Sequence, residues 1–240
     1  MYLLHIELRG LTASFRIPHM FKYHRTLPLP PYTSVVGMFG AAIGKDMATT
    51  QEIFKSLGLK VGIAGSCAGG CNDTWRVLTT KNPENDVVER QVLYKPKYYI
   101  IFCGDRAAVS LCEQAFRYPI YPLSLGRPDD LSNAIIHSFA ECELEDLHVL
   151  RNTVVVGLHS AQIDESLFDI NDPTDPGPCT LLYRLPVHFL FENGFSYHRT
   201  ADDYRDFMFI GDHKITLRKP VKGFKISANK EIIDVPILEI

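Results

Sequence analysis

The sequence predicts an α+β fold, because segments with the period of β-strands are interrupted by two segments with the composition of helices. Residues 2–9 (YLLHIELR) alternate apolar and polar side chains, which predicts an opening strand with one buried face. A helix rich in small residues is predicted from Val35 to about Met47, with Thr33 or Ser34 as its cap. A second helix is predicted from Arg106 to Arg117.

The other segments of the sequence predict further strands and two hairpins. Further strands are predicted at residues 60–71, 98–103, 137–148, 152–158 and 181–191, and an apolar hairpin at 206–217 around Gly211-Asp212. Residues 72–95 are polar and contain the turn-like Asn82-Pro83-Glu84-Asn85, which predicts a projecting β-hairpin. The order of elements predicts a ferredoxin-like (RRM-like) domain over residues 1–135, with this hairpin inserted as a thumb. Residues 136–240 are predicted to form a strand-rich C-terminal region packed on that domain.

Composition narrows the class of protein. With 240 residues, 46% of them hydrophobic, the chain has enough apolar material for a packed core. No apolar run approaches the roughly 20 residues that cross a bilayer, and no leader is apparent, so we expect a cytoplasmic protein without a membrane partner. Six scattered cysteines are expected to stay reduced.

The charge is distributed unevenly along the chain. Residues 1–128 carry 15 Lys and Arg against 9 Asp and Glu, a balance of +6, whereas the remainder carries 10 against 19, a balance of −9. A basic half can hold a phosphate backbone while the acidic half faces solvent or a basic partner protein. Chance patchiness is the alternative explanation.

A proline-rich block carries the most specific signal. Ala13-Ser14-Phe15-Arg16 precedes His24, and Thr26–Gly44 reads TLPLPPYTSVVGMFGAAIG. This block resembles the N-terminal signature of the Cas5 family of CRISPR-associated proteins. A Leu125-Gly126-Arg127 loop and a late LLYRLPVHF segment are similar to weaker family features.

The resemblance implies an RNA-binding fold of ferredoxin type with a thumb-like hairpin. It implies a type I surveillance (Cascade) subunit that caps the five-prime handle of the guide RNA (crRNA) for antiviral defence. Its expected partners are the backbone subunits, the large subunit, a separate guide-processing ribonuclease and, indirectly, target DNA. One branch of the family instead cleaves precursor guide RNA with a tyrosine and an adjacent lysine-histidine pair. No Lys-His dipeptide occurs in this chain, which disfavours that role.

The residues that suit RNA recognition are arginines, a helix start and aromatic side chains, because phosphate contacts position RNA and stacking selects bases. The predicted RNA-binding residues are Arg16, His24, Arg25, Tyr32, Thr33, Ser34, Trp75, Arg76, Lys81, Arg90, Gly126 and Arg127. Each has a structural alternative: the loop cations can be solvated, Thr33 and Ser34 can simply cap the helix, Trp75 can be a core anchor, and Gly126 can serve an ordinary turn.

Other functional classes have less support. Cys67 and Cys71 lack a second ligand pair of similar spacing, so no metal site is expected, and no cofactor motif is present. A metal-independent endoribonuclease remains the alternative function, with His24, Tyr32 and Lys95 as its nearest candidates. The trio Tyr197, His198 and Arg199 is predicted to be polar loop. A ferredoxin-type interaction module unrelated to RNA is the third possibility.

Overall fold

The structure is a computed structural model that describes residues 1–18, 20, 23–79, 82–158, 162–163, 180–192, 199–228 and 231–240, with the backbone alone for residues 77–79 and 82–86. Lys81, a predicted RNA-binding residue, and Tyr197 and His198 of the trio with Arg199 therefore lie outside the described residues. Helices within the described part are α1 (Tyr32–Ile43), α2 (Met47–Ser56) and α3 (Arg106–Arg117).

Strands make up most of the described residues and confirm a strand-rich α+β fold. In chain order they are β1 (Tyr2–Gly10), β2 (Thr12–Ala13), β3 (Phe15–Arg16), β4 (Tyr23–His24), β5 (Thr26–Leu27), β6 (Lys60–Ser66), β7 (Gly69–Thr79), β8 (Asn82–Tyr94), β9 (Lys97–Gly104), β10 (Leu123–Ser124), β11 (Leu131–Glu141), β12 (Glu145–Leu150), β13 (Thr153–Val156), β14 (Thr180–Phe191), β15 (Arg199–Ile210), β16 (Ile215–Ala228) and β17 (Glu231–Leu238).

Strand β1 lies at the centre of an antiparallel sheet in the order β11-β1-β9-β6. The helices α1 and α2 connect β1 with β6 through the intervening short strands, and α3 connects β9 with β11. The period-two pattern of β1 puts Leu4, Ile6 and Leu8 in the core that contains helix residues such as Phe39 and Phe116. The apolar pattern read from the sequence thus determines which sheet face the helices cover.

The opposite face of this sheet is covered in part by β16 and β17. Leu3, Tyr99 and Ile101 of the central strands form a second core with Phe224 and Val235 from this pair. Beyond β6 the sheet continues through β13, β15 and β14. The division of the chain into residues 1–135 and 136–240 stays a prediction; its boundary falls within β11.

Two predictions for the C-terminal region were wrong. Residues 137–148 are not one strand, since β11 ends at Glu141 and β12 begins at Glu145. Strands β15 and β16 do not form a hairpin around Gly211-Asp212: β15 pairs with β13 and β14, and β16 pairs with β12 and β17. The chain separates there because Asn152 donates its backbone N–H to Gly211 and its side-chain amide to Asp212, which attaches this corner to β13.

The projecting hairpin is formed by β7 and β8 and begins at Gly69, slightly earlier than predicted. Its strands pair as far as Thr79 and Asn82, so the Asn-Pro-Glu-Asn segment belongs to β8 instead of forming the turn. At its base, β2 pairs with Leu93 and Tyr94 of β8, and β4 runs parallel to β8. The hairpin is therefore tied to the N-terminal segment that carries the proline-rich block.

A cluster of polar side chains around the buried His5 and Glu7, which sequence reasoning missed, lies on the sheet face opposite the helices. A β-bulge between β1 and β11 pairs His5 with Ser138 and Ile6 with Ile136, so that His137 is the extra residue. The His137 ring stacks on His5 with a centroid separation of 4.8 Å, and its Nε2 lies 2.7 Å from Glu7 Oε2. Burial raises the pKa of Glu7, but hydrogen bonds from Arg9 and His137 outweigh it and lower the pKa overall.

This cluster predicts a loss of stability in mild acid. Burial lowers the pKa of His5 from 6.5 to about 4, so the unfolded chain takes up a proton first as the pH falls. His5 is 2% exposed and therefore favours folding only in its neutral form. We expect the free energy of unfolding to decrease as the pH is lowered from about 6.5 to about 4, and His5→Leu to flatten that decrease.

The measurement is urea unfolding followed by circular dichroism at a series of pH values. His148→Leu, at an exposed position of β12, is the matched control and is expected to keep the wild-type pH dependence. Parallel pH profiles for His5→Leu and the wild type would contradict the assignment.

Candidate nucleic-acid interface

A cavity of about 300 Å³ at the start of α1 brings together six of the predicted residues. We call it the arginine pocket. Its predicted members are Arg16, Thr33, Ser34, Arg90, Gly126 and Arg127. They come from the N-terminal segment, the first turn of α1, the hairpin strand β8 and the loop after β10, which are distant in sequence. The site is therefore a product of the fold and not of one motif.

Arg127 is held in this pocket by a carboxylate. Its Nε and Nη2 each donate to Asp130 at 2.8 Å, a bidentate geometry, and this hydrogen bonding raises the pKa of Arg127. The Asp130 side chain is buried and also accepts a hydrogen bond from Thr12 Oγ1 at 2.5 Å. Within the described residues, Arg127 Nη1 has no hydrogen-bond partner. The guanidinium is thus fixed in orientation while one of its donors remains unused.

Trp75 lies beside the pocket and not in a core. The Arg90 guanidinium lies 4.4 Å from the centre of its ring and that of Arg127 lies 5.2 Å away. The indole Nε1 donates to Asp73, the residue that pairs with Arg90 across the hairpin. Trp75 is half-buried and belongs to none of the three hydrophobic clusters of the described residues. Its environment is that of a cation–π partner, so the core-anchor alternative was wrong.

Like charges meet in the arginine pocket. Burial lowers the pKa of Arg90, and the nearby Arg127 and Arg16 lower it further, whereas Asp130 and Asp73 act in the opposite direction. Asp129 also acts on the charge of Arg127, so three carboxylates lie near the three guanidinium groups, and Asp130 holds Arg127 in the bidentate contact. A bound anion would relieve the repulsion among the three cations.

The start of α1 adds to this positive potential. Pro31 occupies the N-cap position with an extended backbone, so the helix has no side-chain cap, and its first turn contains no acidic residue. Thr33 and Ser34 lie inside the first turn, and the prediction that one of them caps the helix was wrong because the fixed φ of Pro31 starts it two residues earlier. The N-terminal dipole and amide groups of α1 favour an anion at this end.

The other predicted residues do not join the arginine pocket. His24 and Arg25 line a separate cavity of about 780 Å³, and strand alternation leaves His24 only 9% exposed between two exposed neighbours. Arg76 is exposed but follows Trp75 in β7, so it points to the opposite face of the hairpin.

Tyr32 is partly buried and packs on the core. Its ring lies edge-on against Phe54 with a centroid separation of 6.1 Å, and burial raises its pKa to about 12. The phenol therefore stays protonated at neutral pH, and the RNA contact through Tyr32 stays a prediction.

Sequence reasoning missed the wall of the pocket that β14 supplies. Leu185, Pro186 and Phe189 of this strand line the cavity. Their segment was singled out for its alternation and for a weak likeness to the family, and neither indicates the face that the strand packs against. Asp130, three residues after Arg127, was also missed, although an acidic residue at that spacing in a loop was a usable signal.

Among the helices of the described residues, none has the length and apolar character needed to span a membrane.

The backbone of Gly126 packs closely on Ser14, so a single added methyl group is predicted to lower the stability of the protein strongly. Its φ is +106°, and an added Cβ would lie 2.0 Å from the backbone oxygen of Ser14. Gly126→Ala is expected to lower the free energy of unfolding by at least about 2 kcal/mol, because both the backbone conformation and the contact become unfavourable. Thermal unfolding of the variant measures this.

Gly37→Ala is the matched control, since a Cβ there meets no atom within 4 Å and the position is helical. It is expected to raise the stability by about 0.5–1 kcal/mol. Equal stability of the two variants would contradict the close packing of the Gly126 loop on Ser14.

No curated protein matches this chain. A solved structure described as “CRISPR RNA-guided surveillance complex” is 17% identical with a TM-score of 0.53, and the match covers 91% of each chain, which shows a common fold. A structure described as “Cas protein” is 25% identical with a TM-score of 0.37, and the match covers 52% of this chain and 57% of that one. A CRISPR protein from Archaeoglobus fulgidus is 12% identical with a TM-score of 0.44, over 98% and 99% of the two chains.

The family comparison is more specific than the structural ones. The family described as “CRISPR-associated protein (Cas_Cas5)” matches residues 3–143, which is more than half of the chain. That range includes the proline-rich block, α1, the β7–β8 hairpin and the Gly126 loop. The chain therefore belongs to the Cas5 family of CRISPR-associated proteins.

Proposed function

We propose that this protein is a non-catalytic subunit of a type I CRISPR surveillance (Cascade) complex that binds the five-prime handle of the guide RNA in the arginine pocket. The observation that carries the proposal is the convergence of Arg16, Arg90 and Arg127 on one cavity beside Trp75. Single-stranded RNA is bound by such combinations, since cations contact its phosphates and aromatic rings stack on its unpaired bases.

The sheet topology supports the RNA-binding class. The order β11-β1-β9-β6, with helical connections after β1 and after β9, supports the proposal of a ferredoxin-like domain. On this basis the β7–β8 hairpin is the inserted thumb, and β12–β17 form the strand-rich appendage. The arginine pocket lies where the base of the thumb meets the start of α1.

The charge distribution supports a role between RNA and protein partners. Most of the pocket lining belongs to the basic half of the chain, with its balance of +6, and the acidic half supplies the β14 wall and the Asp130 carboxylate that holds Arg127. We assign the acidic half to contacts with basic surfaces of the backbone or large subunit, because complementary charge speeds and orients association. Target DNA is then contacted only indirectly.

Catalysis is disfavoured at the residues that the endoribonuclease alternative requires. The buried Tyr32 phenol has a pKa of about 12 and does not serve as a base at neutral pH. His24 is buried in β4 and lines a different cavity from the three arginines, whose charges would stabilise a phosphorane-like transition state. A separate ribonuclease would therefore produce the guide.

The test is the salt dependence of binding to a labelled single-stranded RNA with the sequence of the repeat from the protein's own CRISPR array. Arg16→Gln and Arg90→Gln each remove one phosphate contact, so each is expected to flatten the slope of log affinity against log salt by about 0.7. Fluorescence anisotropy at several salt concentrations measures the slope.

Arg117→Gln is the matched control, because Arg117 is an exposed residue at the end of α3 that pairs with Glu113 and does not line the pocket. It is expected to keep the wild-type slope. Unchanged slopes for Arg16→Gln and Arg90→Gln would place the RNA elsewhere. The RNA is also expected to be recovered intact after incubation in EDTA; scission that disappears in His24→Ala or Tyr32→Phe would overturn the non-catalytic part of the proposal.

A further inference from the structure

The arginine pocket continues into a second cavity along α1. This cavity of about 380 Å³ is lined by Gly37, Met38, Met47 and Arg199, among others. It shares Thr33, Ser34, Gly126 and Phe189 with the arginine pocket. Because the two cavities have these walls in common, they form one groove across the first turn of α1.

Phe189 stands at the junction of the two cavities and is held there by a side-chain clamp. The Gln51 amide donates from Nε2 to the Phe189 carbonyl oxygen at 3.0 Å, and its Oε1 accepts from the Phe189 N–H at 2.9 Å. Gln51 lies on α2 and is only 8% exposed. The Gln51 amide thus makes the two backbone hydrogen bonds that a neighbouring strand would make, and it fixes the backbone of β14 against α2 at Phe189.

The ring of Phe189 has the same kind of partner as Trp75. The Arg199 guanidinium lies 4.8 Å from the centre of the Phe189 ring, and Phe189 is half-buried and lines both cavities. The groove therefore has two aromatic rings with arginine partners: Trp75, with Arg90 and Arg127, lies beside the first cavity, and Phe189, with Arg199, lies at the junction of the two cavities. The first-turn residues Thr33 and Ser34 line both cavities.

We propose that this groove takes two consecutive nucleotides of single-stranded RNA, with one base on Trp75 and the next on Phe189. Each cavity has the volume of a small-ligand site of about 300–1,000 Å³, which suits one nucleotide apiece. The phosphate that joins the two nucleotides lies at the uncapped start of α1, where Thr33, Ser34 and Gly126 form the shared wall. This inference rests on the proposed function and adds a second stacking platform from the C-terminal half of the chain.

The experiment uses the same repeat RNA and a set of oligonucleotides that each carry one abasic nucleotide. With the wild-type protein, an abasic nucleotide at either of two adjacent positions is expected to weaken binding by about 5- to 150-fold, which is the range for loss of one stacked base. Phe189→Leu is expected to weaken binding of the intact RNA by a similar factor and to leave the salt slope unchanged. Its affinity is expected no longer to respond to an abasic nucleotide at one of the two positions. Trp75→Leu is expected to lose sensitivity at the other.

Tyr204→Leu is the matched control, since Tyr204 is an exposed aromatic residue on the adjacent strand β15 and lines neither cavity. An affinity of Phe189→Leu equal to that of Tyr204→Leu, with a weakened Trp75→Leu, overturns the second platform and leaves the proposed function intact. Wild-type affinity in Trp75→Leu, Phe189→Leu and the arginine variants overturns both. A changed salt slope in Phe189→Leu also overturns the stacking role, because loss of a stacked base removes no phosphate contact.

Discussion

The bidentate contact between Arg127 and the buried Asp130 is the interaction on which the arginine pocket depends. Asp130 neutralises one of three arginines that would otherwise repel each other, and it accepts from Thr12 at the base of the hairpin. The same loop approaches the N-terminal segment through the hydrogen bond from Ser14 N–H to the Leu125 carbonyl. One carboxylate therefore links the loop, the hairpin base and the cation over Trp75.

The remaining features of the site are a cation and a helix end that the Arg127–Asp130 contact does not compensate. Asp130 compensates Arg127 directly, while Arg90 is partly desolvated and lies near two other cations. The proline at the N-cap leaves the positive end of α1 without a capping side chain. In a free protein these features cost stability, and proteins retain such costs mainly at functional sites. A polyanion with unpaired bases satisfies both the cations and the aromatic rings, whereas a simple anion satisfies only the cations.

Much of the fold was predictable because local patterns determined it. The alternation of Leu4, Ile6 and Leu8 predicted β1 and its core face, and the polar stretch between glycine and proline signals predicted the hairpin. The site was predictable in part: Arg16 belongs to the N-terminal family signature, Gly126 and Arg127 belong to a weaker family feature, and Arg90 was identified from the basic residues of the hairpin. Arg76 and His24 lie outside the arginine pocket because the faces of their strands depend on registers set by distant partners, and the RNA contacts predicted for them stay predictions. Phe189 and the His137 bulge depend on pairings across many residues, which no local pattern encodes.

Ultraviolet cross-linking of the repeat RNA to the purified protein, followed by mass spectrometry of the attached peptides, tests the central claim most directly. The groove account predicts cross-links at the peptides that contain Trp75 and Phe189, because zero-length cross-links form at stacked aromatic rings. Cross-links confined to the cavity of His24 and Arg25, or to the sheet face around His137, with none at Trp75, would contradict it.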